Sequence, residues 1–152
     1  MSDPHANLGA DLRLLLNLQS QNDRFGGSDL RIAVRPQTQN TDLQTLQDAE
    51  NLQQALLMRF LTRQGELSKL GHPDYGCRLY TLIGELNTPV NRNRAKLFVL
   101  ESLGAEPRVE QVISVDVTAG ARDRIDIRVL LRAIGKDNPL NFVFPFFLEG
   151  LR

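Results

Sequence analysis

The sequence predicts an α+β fold: an N-terminal hairpin, two main helices and a C-terminal antiparallel β-meander. Three observations carry that expectation. Apolar residues alternate with polar ones near both ends of the chain, and they recur at helical spacing between residues 48 and 104. Thr88-Pro89 and Gly104 then punctuate a helix at its start and its end.

Residues 1–10 read as a flexible N-terminus and residues 11–152 as a single domain, which suits a length of 152 residues. Leu12, Leu14, Leu16 and Leu18 alternate along Asp11–Leu18, as do Leu30, Ile32 and Val34 along Asp29–Arg35. A polar stretch with Gly26-Gly27 separates them, so 11–35 reads as a hairpin with a long loop. The first run is rich in leucine, and a short helix is the alternative there. Gln37–Gln47 shows no sustained period and reads as a connector.

The helical part spans 48–104. Asp48 is placed to cap the first helix, Leu52, Ala55, Leu56 and Phe60 form its stripe, and Gly65 is the expected stop. His72-Pro73-Asp74-Tyr75-Gly76 is turn chemistry, and a short helical piece is expected from about Leu79 to Ile83. In the second helix Leu97, Phe98, Leu100 and Leu103 are the predicted apolar face. From residue 108 to 148 the period is two. Val109, Gln111, Ile113, Val115 and Val117 form one face of the first strand, and Ile125, Ile127, Val129 and Leu131 one face of the second. Phe142, Phe144 and Phe146 mark the third, where Pro145 cannot donate to a ladder and so predicts an edge strand or a terminal arm.

Composition narrows the function classes. With 18 basic and 18 acidic side chains the net charge is +0, which argues against an electrostatic grip on nucleic acid. One cysteine, Cys77, allows no internal disulfide, and the apolar runs are too short to span a bilayer. The start Met1-Ser2-Asp3-Pro4-His5 lacks signal-peptide patterning, so synthesis in the cytosol without membrane insertion is expected. His5, His72 and Cys77 cannot supply a metal site of the usual spacing, and no phosphate-cradling loop or other cofactor motif is present. A Cys77–His72 dyad is conceivable, yet a lone cysteine is more often a small core residue and His72 a turn residue. Paired carboxylates offer a further route to catalysis through Glu66, Glu85, Glu101 and Glu106. However, 18 acids supply many such pairs, and the chain has no Trp to floor a sugar cleft. The expectation is therefore no catalytic residues and no enzyme activity.

The motif with most information is Glu106-Pro107-Arg108. Residues two apart in an extended segment project to the same side, and Pro107 stiffens the tripeptide. An acid and a base would then stand side by side at the helix-to-strand corner. An ordinary turn with solvated charges is the commoner outcome for such spacing alone. Arg92, Arg94 and Lys96 crowd the start of the second helix and could face an acidic partner, although a solvated face is commoner.

Together these residues resemble the lysozyme-like baseplate wedge and sheath-initiator family of contractile phage tails and contractile injection systems. Leu43–Phe60, with Asp48-Ala49-Glu50-Asn51-Leu52, is similar to the family's entry helix. His72-Pro73-Asp74-Tyr75-Gly76 and Leu82-Ile83-Gly84-Glu85 resemble its central segments, and Glu106-Pro107-Arg108-Val109 its Glu-Pro-Arg signature. Phe144-Pro145-Phe146-Phe147-Leu148-Glu149-Gly150 resembles its ending, so the likeness runs from about residue 11 to the end. The resemblance implies a structural subunit of a six-fold baseplate in a phage-tail-like particle. Its partners would be other baseplate wedge subunits, the sheath protein, and tube or hub proteins. Glu106, Pro107 and Arg108 would hold it to the wedge core. The meander at 108–148, with Phe142, Phe144 and Phe146, would start the sheath by strand exchange. The alternative is a peptidoglycan-cleaving tail enzyme.

Overall fold

In a computed structural model of the chain, residues 8–15 and 32–149 are described. Seven strands and two α-helices follow in the order β1 (Ala10–Leu12), β2 (Ile32–Val34), β3 (Thr41–Leu43), β4 (Thr45–Gln47), α1 (Asp48–Leu61), α2 (Pro89–Gly104), β5 (Val109–Ala119), β6 (Arg124–Ala133) and β7 (Leu140–Phe147). Short 3₁₀ turns at Ser68–Leu70 and Arg78–Leu82 lie between the helices. The α+β class is as predicted.

The N-terminal hairpin is not. β1 pairs antiparallel with β4, Ala10 opposite Gln47, and β2 pairs with β3, Ile32 opposite Leu43. The expected runs therefore find different partners, and both lie in the stretch read as a connector. Residues 16–31, which carry the loop and much of both runs, lie outside the described residues, as does most of the expected flexible N-terminus at 1–10. A polar strand that pairs at an exposed edge carries little period-two signal, which is why Thr41–Leu43 and Thr45–Gln47 were missed.

α1 buries Leu52, Leu56 and Phe60, the i, i+4 and i+8 positions of its stripe, with Leu57 beside them. Asp48 does not cap it. Gln47 holds the cap position, and the Asp48 carboxylate instead lies 3.5 Å from the Lys136 ammonium. The helix stops at Leu61, before Gly65, where Thr62 turns to extended backbone (φ −84°, ψ 132°) while its N–H and hydroxyl both still donate to the Met58 carbonyl, at 3.0 and 2.7 Å. The His72–Cys77 loop is then bolted to that end. Cys77 N–H donates to the Thr62 carbonyl at 2.9 Å, and Gly76 has φ +112° with the site of a Cβ only 2.7 Å from the same oxygen. Only glycine fits that approach.

Thr88 caps α2 as predicted, its hydroxyl accepting the Asn91 N–H at 3.2 Å. The buried face is Asn91, Ala95, Phe98, Val99, Ser102 and Leu103, one residue round from the prediction, so Leu97 is 60% exposed.

β5, β6 and β7 form an antiparallel meander in that order. β6 and β7 alternate as read: Ile125, Ile127, Val129, Leu131, Phe142, Phe144 and Phe146 are buried. β5 does not. Register shifts between Val109 and Gln111 and between Val112 and Ser114 change the parity, exposing Ile113 and Gln111 and turning Val112 inward. The inner face packs on α2 at β5 and on α1 at β7, where the Phe60 and Phe144 rings stack 5.1 Å apart.

Candidate docking site

The corner between α2 and β5 is tight. Glu106 N–H donates to the Leu103 carbonyl at 3.2 Å, and Val109 N–H returns to the Glu106 carbonyl at 3.1 Å. This turn leaves Pro107 outside and points the Glu106 carboxylate inward, where the residue is only 5% exposed. A buried carboxylate needs cations and hydrogen bonds. Arg108 Nε donates to Glu106 Oε1 at 2.6 Å, and Arg59 Nη2, from α1, to Glu106 Oε2 at 3.3 Å. The Arg59 guanidinium also lies over the Tyr75 ring, 4.5 Å from its centroid. Burial alone would raise the Glu106 pKa. The hydrogen bond and charge of Arg108, with the charge of Arg59, outweigh it and hold the carboxyl below its ordinary value.

The expected acid–base pair therefore forms, across the subunit's own corner. The Arg108 side chain is 28% exposed and lines a groove of about 450 Å³ with Leu8, Gly9, Asn51 and Ala55. Arg59 escaped the sequence reading. Its signal was a cation at the i+7 position from Leu52, on the stripe that α1 buries.

Phe142, Phe144 and Phe146 lie 30 residues and more further on, in β7, and all three are buried in this subunit's own core. They do not project as anchors for a neighbour. What β7 does offer is its outer edge, with which no other strand pairs among the described residues. Pro145 stands opposite Asp126 in an unbroken ladder, so its missing N–H falls on that outer side.

The other candidates separate. Cys77 is buried, its thiol donating to the Phe98 carbonyl at 3.5 Å and pushed up in pKa by desolvation, whereas His72 is exposed. Arg92 is held by the Asn87 side-chain oxygen at 2.7 Å, and Arg94 by that of Asn91 at 3.2 Å. A second groove, of about 400 Å³, is lined by Asp74, Arg78, Glu101 and Ser102 among others. Among the described residues no His, Cys, Asp and Glu cluster could hold a metal ion, and no helix is long and apolar enough to cross a membrane.

Comparison with protein-family models gives no match, and comparison with curated proteins gives none either. Among solved structures, the fold is similar to a Geobacter sulfurreducens protein named a "putative tail lysozyme". The TM-score is 0.58 and the identity 24%, covering 66% of this chain and 91% of that one. This likeness is one of fold, to a protein named for a tail. It also corrects an expectation. The exclusion of enzyme activity does not stand, because it rested on missing sugar platforms and a chain of the same fold carries a lysozyme's name.

Proposed function

We propose that this protein is a baseplate wedge subunit of a contractile injection machine, docking through the Glu106 corner and offering the edge of β7 to the first sheath subunit. The observation that carries the reading is that edge: a core-backed strand at the end of a three-stranded meander, with no further strand paired to its outer side among the described residues. Strand addition there would supply directional hydrogen bonds, with register fixed by alternate side chains. The gap at Pro145 limits pairing of isolated subunits with one another. The fold likeness to a tail-named protein and the Glu106-Pro107-Arg108 resemblance support the same assignment.

The test must spare the core. Removing residues from Asn141 onward would strip Phe142, Phe144 and Phe146 from it and unfold the subunit. Val143 is two residues from Pro145 and its N–H shares the outward direction, so Val143→Pro deletes an edge donor without touching the β6 ladder. Baseplates carrying Val143→Pro should form and fail to grow sheath. Full-length sheathed particles from that variant would overturn the assignment.

A second reading, hydrolysis of peptidoglycan, is favoured by the groove that both Asp74 and Glu101 line. Clearing of a peptidoglycan gel by purified protein, lost in Glu101→Gln, would establish it.

A further inference from the structure

α2 buries one face, through Ala95 and Val99, and leaves the opposite one bare. At 3.6 residues per turn, Val90, Arg94, Leu97, Glu101 and Gly104 fall within one narrow outward stripe, and all five are exposed. Two of them carry opposite charges. Arg94 donates to the neutral Asn91 side chain at 3.2 Å and has no carboxylate partner among the described residues. Glu101, seven residues on, keeps 59% of its side chain exposed although Arg78 grips it. Glu106 shows that one carboxylate of this protein can hold two guanidiniums. Gly104 is the third feature. Its φ is not positive, and a Cβ built on it would meet nothing within 4 Å. Glycine weakens a helix relative to alanine, and neither the backbone nor the packing of this subunit requires one there. A smooth spot of this kind lets another helix approach closely.

A second copy of α2, laid antiparallel, meets all three features at once. Take a two-fold axis midway between Arg94 and Glu101. Arg94 of each copy then lies level with Glu101 of the other. Both charges stand on the same edge of the stripe, because a helix drifts by only about 20° in seven residues. Leu97 meets Leu97 beside the axis, and Val90 of each copy lies level with Gly104 and Ala105 of the other. We propose that this face of α2 joins two copies of the chain, through two Arg94–Glu101 pairs around a Leu97 centre. The inference goes beyond the wedge-subunit reading and does not require it. One helix pair buries less than a standard interface, so the dimer is weak and dilute protein is monomeric.

An oxidative trap records such a dimer. Packed helices lie about 8–10 Å apart, which brings the two Leu97 Cα atoms into disulfide range. Full-length Leu97→Cys, oxidised in concentrated solution, should shift from 17.1 kDa to twice that mass on a non-reducing gel. The native Cys77 is buried. Val90→Cys, on the same stripe, is the control: its two copies would stand about 22 Å apart along the helices and should not couple. Charge reversal gives a second measurement, read by sedimentation of concentrated protein. Arg94→Glu and Glu101→Arg each place like charges in both contacts, and should weaken self-association by about tenfold or more. An equimolar mixture of the two variants restores opposite charges in both contacts and should dimerise as the parent does. Misfolded chains could not give that rescue. Equal cross-linking of Leu97→Cys and Val90→Cys would overturn the proposal, as would a mixture no more dimeric than either variant alone. A parent that stays monomeric at every concentration would also overturn it and assign the face to a different, acidic chain.

Discussion

Two arginine–glutamate pairs in this protein have the same chemistry and opposite settings. Arg78 grips Glu101 with a fork on the surface, at 2.7, 2.8 and 3.2 Å, and the side chains are 45% and 59% exposed. Glu106, 5% exposed, is shared between Arg59 and Arg108 with less ideal geometry on the Arg59 side, at 3.3 Å. By distance alone the surface pair is the better one. Solvent reverses the ranking: water replaces a lost partner at Glu101 and cannot do so at Arg59. The difference teaches that a buried pair is valued by what its removal strands.

The largest effect should follow Glu106→Gln, which leaves the Arg59 guanidinium buried without an anion. Stranding a buried charge costs about 3–5 kcal/mol, so the urea midpoint should fall steeply, while a midpoint within error of the parent would break the comparison. The pH dependence has the same origin. The folded Glu106 pKa lies below its ordinary value of 4.5, so its contribution is full above 4.5 and is lost as pH falls through the folded value. Acid unfolding of Glu106→Gln should lack that component, which paired pH titrations of stability would show.

Next in size is Arg108→Ala. It removes the shorter bond to Glu106 but leaves Arg59 in place, and the emptied space opens onto the groove. A hydrogen bond to a charged group contributes about 1.5–3 kcal/mol, and the loss here should be less than for Glu106→Gln. Because Arg108 is the largest of the lowering influences on Glu106, the acid transition should also move to higher pH. An Arg108→Ala variant as unstable as Glu106→Gln would show that Arg59 alone does not hold the buried Glu106 carboxylate.

The two pairs also differ in what the sequence revealed. Glu106 and Arg108 are two residues apart, and Pro107 makes their shared direction legible from the chain itself. Arg59 reaches them across 47 residues, through the packing of α1 beside α2. No local pattern encodes that approach, though a cation on an apolar stripe hints at a buried anion. The same division runs through the fold. β6 and β7 alternate cleanly because one face is buried along their whole length. β5 misleads because two register shifts reset its parity, and no residue in Val109–Ala119 announces them. The β1–β4 pairing was hidden for a third reason: its specificity lies in Asn51 and Gln54, amides that look like ordinary helix surface until residues 8–15 cover them.

The smallest effect belongs to Glu101→Gln. An exposed ion pair contributes about 0.2–1 kcal/mol after side-chain ordering and screening, and both residues here keep water within reach. Arg78 has a second attachment that Glu101 lacks, since its guanidinium lies over the Phe98 ring, 4.6 Å from the centroid. Arg78→Ala should therefore destabilise the protein more than Glu101→Gln does. A double-mutant cycle separates the two contributions, because the ion pair is the coupling energy and the ring contact is what survives in the Glu101→Gln background. Raising the salt concentration should shrink the coupling and leave the ring contact nearly unchanged. A coupling that rivals the cost of Glu106→Gln and resists salt would mean that the Arg78–Glu101 pair is covered in solution. The surface between Asp74 and Glu101 would then have to be an interface rather than an open groove.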